Sequence, residues 1–96
     1  MKRKNAETIG DVMRAFFKEN NLEARILEHK LYKIWPLVLG EEMASYTSNL
    51  FVKNRILYVS VASSVLRNEL MMSRSLLVRN LNQQIGADLI TNIIFR

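Results

Sequence analysis

The stretch "LYVSVASSVLRNELMMSRSLLVRNLNQQIG", from Leu57 to Gly86, changes period in its middle. Leu57, Val59 and Val61 alternate, as on a strand with one buried face, whereas Leu66, Leu70, Leu77 and Leu81 recur on one side of a helix. A strand that feeds directly into a long helix limits the folds open to a short chain. Ser63 or Ser64 can cap that helix, which is expected to run to about Gln84, with Gly86 at the C′ position after it. Upstream, Leu50 to Lys53 and Ile56 to Ala62 read as two strands joined across "KNR", where Asn54 tolerates the left-handed conformation of a tight hairpin. Downstream, "LITNIIFR" is rich in β-formers and predicts a last strand from Leu89 to Phe95.

Residues 1–7 carry Lys2, Arg3 and Lys4 without apolar periodicity and read as a flexible basic arm. Thr8 stands where an N-cap belongs, with Asp11 near the positive helix end, and a first helix follows from about Ile9 to Asn20. Its apolar face, Ile9, Val12, Met13, Phe16 and Phe17, is expected to belong to a core. A second helix is lined by Leu22, Ile26, Leu27, Leu31, Ile34 and Trp35, and Pro36 is expected to end or kink it. Gly40 precedes a short helical turn from Glu41 to Tyr46.

Residues 8–96 thus predict a single α+β domain: N-terminal helices, then a β-hairpin, a long helix and a final strand completing a three-stranded sheet. Helices pack on one sheet face. The other, carrying Tyr58 and Ser60, is either solvated or covered by the N-terminal helices.

The absence of cysteine removes disulfides, zinc-thiolate sites and thiol catalysis together, as suits a reducing cytoplasm. The basic start is not followed by an apolar segment, so a secretory signal is not expected. The longest uncharged stretch, Ile56 to Leu66, is far short of the roughly 20 residues that span a bilayer. No membrane partner is expected, and the predicted compartment is the cytoplasm.

Catalytic chemistry is not legible. His29 has no neighbours at ligand spacing, so no metal is predicted. Glu41 and Glu42 are adjacent and point about 100° apart on a helix, too divergent to act on one bond. None of the serines sits in a nucleophile elbow, and Gly10, Gly40 and Gly86 are isolated, so no phosphate-cradling loop and no cofactor site is present. The chain does not read as an enzyme.

A net charge of +5 and a pI near 9.9 point instead to an acidic partner, of which nucleic acid is the commonest. Arg67 and Arg74 are seven residues apart and project from nearly one side of the expected long helix, with Arg79 about 100° further round. Such a stripe suits phosphates or an acidic partner helix, and equally an ordinary solvated face. Lys53 and Arg55, at the hairpin tip, are the next candidates, beside Lys2, Arg3 and Lys4 in the arm. Met71 and Met72 fit an adaptable protein-binding surface or the edge of the core. Trp35 and Tyr58 are aromatic rings that could stack on bases, Trp35 being equally a core anchor.

Taken together, "WPLVLGEEMASYTSNLFVKNRILYVSVASSVLRNELMMSRSLLVRNLNQQIGADLITNIIFR" resembles the bacterial domain-of-unknown-function family that contains DciA. The resemblance rests on a Trp followed by Gly, a small helix, a hairpin, "L-x-V-x-V-x-S-S", a helix of leucines and a terminal Ile-x-Phe. Trp35, Gly40, Leu57, Val59, Val61, Ser63, Ser64, Leu70, Leu77, Asn82, Gly86, Ile93 and Phe95 occupy those positions. It implies a KH-like fold and a non-ATPase role beside the replicative DNA helicase, helping to place that ring on DNA, with contact to single- or double-stranded DNA. KH domains proper clamp nucleic acid with a Gly-x-x-Gly loop, which this sequence lacks. Two rival readings stay open: a KH-like RNA-binding module, and a protein-only adaptor or weak homodimer.

Overall fold

A computed structural model describes residues 8–12 and 22–96. Its elements are α1 (Leu22–Leu39), α2 (Glu41–Ala44), β1 (Thr47–Lys53), β2 (Ile56–Val61), α3 (Ser64–Met72), α4 (Arg74–Ile85) and β3 (Asn92–Phe95). The fold is α+β, as the sequence predicts.

α1 does not stop at Trp35. It runs through Pro36 to Leu39, because a proline so near the C-terminus forfeits one backbone bond while burial of Leu31 and Trp35 holds the helix in place. Gly40 then turns the chain with φ 93° and ψ 148°, a conformation essentially reserved for glycine, while its amide donates to the Pro36 carbonyl at 2.8 Å. α2 is correspondingly short and ends at Ala44 rather than Tyr46. The buried Trp35 indole has its polar edge satisfied: Nε1 donates to Thr47 Oγ1 at 2.9 Å, and that hydroxyl donates to the Ala44 carbonyl at 2.7 Å. One relay therefore ties α1, α2 and β1 together.

β1 and β2 are antiparallel, with Lys53 opposite Ile56, so Asn54 and Arg55 alone make the turn. Both have positive φ, 54° and 65°, which matches the mirror-image turn that suits the right-handed twist of a hairpin. β1 starts at Thr47, earlier than the predicted Leu50, and absorbs an irregularity between Ser48 and Phe51 where Asn49 has φ 52°. β3 lies parallel to β2, giving the order β1-β2-β3.

The predicted single long helix is two helices. Ser63 caps α3 by accepting from the Leu66 amide at 3.2 Å, and Ser73, at φ −101° and ψ 11°, ends α3 and starts α4. The leucine spacing concealed this junction because Leu70, Leu77, Leu81 and Ile85 are all buried and so satisfy the same apolar pattern from either side of it. α4 closes at Gly86, left-handed at φ 84°, whose amide donates to Asn82 O at 2.8 Å. α3 leans on β2 and β3, while α4 packs chiefly on α1.

Leu57, Val59, Val61, Ile93 and Phe95 point from the sheet into the core with Leu31, Trp35, Leu81 and Ile90. The opposite sheet face, bearing Phe51, Tyr58 and Ile94, is open among the described residues. At the N-terminus, Thr8 and Asp11 cap each other reciprocally, at 3.0 and 3.4 Å. Ile9 and Val12, expected in a core, are instead 79% and 54% exposed: helical apolar spacing specifies a face without supplying something to bury it against. The rest of that face, Met13, Phe16 and Phe17, lies outside the described residues.

Candidate nucleic-acid interface

The structure separates the predicted basic residues into committed and uncommitted ones. Arg67 is half-buried and folds back on its own strand–helix junction, Nη2 donating to the Val61 carbonyl at 3.3 Å while Nε is buried with no hydrogen-bond partner. Arg55 is exposed but clamps the hairpin tip to the loop after α4: Nη2 donates to Asp88 O at 2.6 Å, and its own carbonyl accepts from the Thr91 amide at 2.7 Å. Lys53, Arg74 and Arg79 are exposed and take no hydrogen bond or ion pair among the described residues.

The stripe of Arg67, Arg74 and Arg79 is therefore not formed as expected. Arg67 and Arg74 belong to different helices on either side of Ser73, and the Arg67 head is turned inward. Arg74 opens α4, where it adds a positive charge to the positive end of the helix dipole, with no acid in the first turn and no side-chain cap to offset it. Arg79 edges an open hollow shared with Asn82, Gln83, Gly86, Ala87 and Asp88, so an acid stands in the same hollow. Lys2, Arg3 and Lys4 lie outside the described residues.

Of the aromatic candidates, Trp35 is 2% exposed and its ring is not available for stacking. Tyr58 is available. It stacks against Phe51 across the hairpin, ring centroids 4.8 Å apart and planes 11° from parallel, and the Arg96 guanidinium lies 5.2 Å from the Phe51 centroid and 5.3 Å from that of Tyr58. Phe51 and Arg96 escaped sequence reasoning. The Phe51 signal was present, since counting outward from a two-residue turn at Asn54 and Arg55 sets Phe51 opposite Tyr58; Arg96 joins only through the parallel pairing of β3, which local sequence does not encode. Met71 and Met72 are both exposed at the end of α3.

The open sheet face brings the stacked Phe51 and Tyr58 rings together with Arg96, and α4 separately presents Arg74 and Arg79; rings and cations of these kinds can meet π-faces and phosphates. A scan of family models matches the one described as Dna[CI] antecedent, DciA, over residues 8–95. The chain belongs to the DciA family. That family is linked to replicative-helicase loading, so membership supports an accessory role in DNA replication. Comparison with curated proteins and with solved structures returns no match. None of the described helices in this DciA-family chain is long and apolar enough to cross a membrane.

Proposed function

We propose that this DciA-family chain is a non-enzymatic, cytoplasmic accessory of DNA replication that contacts both the replicative helicase and nucleic acid. The family match across nearly the whole chain carries the proposal. Lys53, Arg74 and Arg79 support the nucleic-acid half, because cations with no hydrogen-bond or ion-pair partner among the described residues can displace counterions from a phosphate backbone. A KH-like fold is supported by the order strand, helix, helix, strand from β2 to β3, with Ser73 rather than a glycine pair at the helix junction. Nucleic acid is then met without a Gly-x-x-Gly clamp.

The test is helicase loading. With the replicative helicase of the same organism and a circular single-stranded DNA, the protein is expected to raise the amount of helicase bound to the circle without hydrolysing ATP itself. Helicase occupancy that is the same with and without the protein contradicts the proposal. Stronger binding to RNA than to DNA at matched salt would move the RNA-binding reading ahead.

A further inference from the structure

We infer that the open face of the sheet is a stacking platform for the unpaired bases of single-stranded DNA, built from Phe51, Tyr58 and Arg96. The inference rests on the proposed nucleic-acid role and adds the site, the form of the strand and the mode of contact.

Phe51 and Tyr58 already form a two-ring stack. Phe51 lies on β1, an edge strand, so among the described residues no further strand stands on the outer side of its ring, and it is 38% exposed. On the other side, Tyr58 is opposite Ile94 of β3, itself 37% exposed, which continues the apolar floor. The Arg96 guanidinium is nearly equidistant from the two centroids, so it sits midway between the rings rather than capping the outer face of Phe51. A planar base can therefore extend the stack beyond Phe51, with the guanidinium beside it.

Charge selects the occupant. Alternation along the strands places Lys53 on the same face as Phe51, and the side chains charged at neutral pH on this face are basic, with no aspartate or glutamate in β1, β2 or β3. An apolar peptide would need no cations here, and a duplex hides its base faces. An unpaired strand offers both π-faces to the rings and phosphates to Lys53 and Arg96. The backbone bonds of Arg96 to β2, amide to the Val59 carbonyl and carbonyl from the Val61 amide, each 2.8 Å, hold that residue against the sheet.

The experiment follows the fluorescence of Phe51→Trp during titration with an oligothymidine, and compares affinities of wild type, Phe51→Leu and Phe51→Trp. Trp35 is buried, so its emission is a steady background. Stacking predicts saturable quenching in Phe51→Trp, affinity at least equal to wild type, and a loss of roughly tenfold in Phe51→Leu with an unchanged salt slope. Phe51→Leu keeps the apolar character, and its unfolding midpoint confirms folding. DNA binding without quenching and with equal affinity for all three proteins overturns the platform while leaving the nucleic-acid role standing. Absence of binding to any DNA overturns both. Equal affinity for a duplex of the same length, or tighter binding of the matching RNA, overturns the assignment to single-stranded DNA.

Discussion

Asn82 and Ile90 are joined twice: the Asn82 amide Nδ2 donates to the Ile90 carbonyl at 2.8 Å, and the Ile90 amide donates back to Asn82 Oδ1 at 3.1 Å, an oxygen that also accepts from the Leu89 amide. One side chain on α4 thus takes up backbone groups of the loop that leads into β3. The last strand begins at Asn92 and not at the predicted Leu89 because Asn92 is opposite Ile56, the first residue of β2, and the residues before it lie past the hairpin turn.

Asn82→Ala should strand those part-buried groups and destabilise the fold by about 2 to 4 kcal/mol. Asn82→Asp keeps the acceptor but loses the donor and sets a carboxylate against the Ile90 carbonyl, so it should fall between wild type and alanine or below. Urea unfolding midpoints at neutral pH provide the check. An alanine variant within about 0.5 kcal/mol of wild type would show that the latch does not hold β3.

The two described glycines of positive φ should answer differently to substitution. Neither has a heavy atom within 4 Å of an added Cβ, so the cost at each is backbone strain alone. At Gly86, left-handed at φ 84° and ψ 23°, asparagine should be better tolerated than alanine, which should cost about 1 kcal/mol. At Gly40, φ 93° and ψ 148° suits neither residue, and both should cost about 1 to 3 kcal/mol. Thermal unfolding of the four variants distinguishes these patterns.

Arg67 and Arg74 should separate cleanly. Arg67→Met removes a long hydrogen bond together with a buried, unpartnered Nε, two effects of opposite sign, so stability should change by less than about 1 kcal/mol and DNA affinity should hold. Arg74→Ala should leave stability unaltered or raise it slightly, since it removes a cation from the positive end of the helix dipole, and should weaken binding to single-stranded DNA and lower the salt slope by about 0.7. The reverse assignment, with Arg67 carrying the salt dependence, would return that residue to the interface.

Tyr32 provides an alkaline signature. Burial raises its phenol above the ordinary 10.0, and the negative charge of Glu28 adds to this, while a backbone hydrogen bond at Val52 opposes it. Once pH passes about 10, the unfolded chain releases this proton and the folded chain keeps it, so stability must fall as pH rises through that window. Between about pH 9 and about pH 11, wild type should lose more stability than Tyr32→Phe in urea titrations. Parallel losses would remove Tyr32 from the alkaline response.

The fold was legible wherever period and local chemistry agree. Leu57, Val59 and Val61 identified the buried side of β2, and Asn54 identified the hairpin turn. Ser73 was hidden because a helix junction that preserves the leucine face leaves no mark on spacing. At Pro36 the helix does not end, because a chain rule about proline yields to the tertiary burial of Trp35. The interface was less legible for a similar reason. Helical spacing can align Arg67 with Arg74 on paper, yet where a guanidinium ends depends on the carbonyl it finds, here that of Val61. Phe51 was readable from hairpin register, whereas its approach by Arg96 needed the parallel strand.

The proposed partnership with the replicative helicase is read out by interferometry with the purified helicase of the same organism, at about 0.15 M ionic strength and without DNA. Binding should be saturable and should survive Phe51→Leu, since that ring is assigned to DNA. A flat response up to high micromolar protein would contradict it.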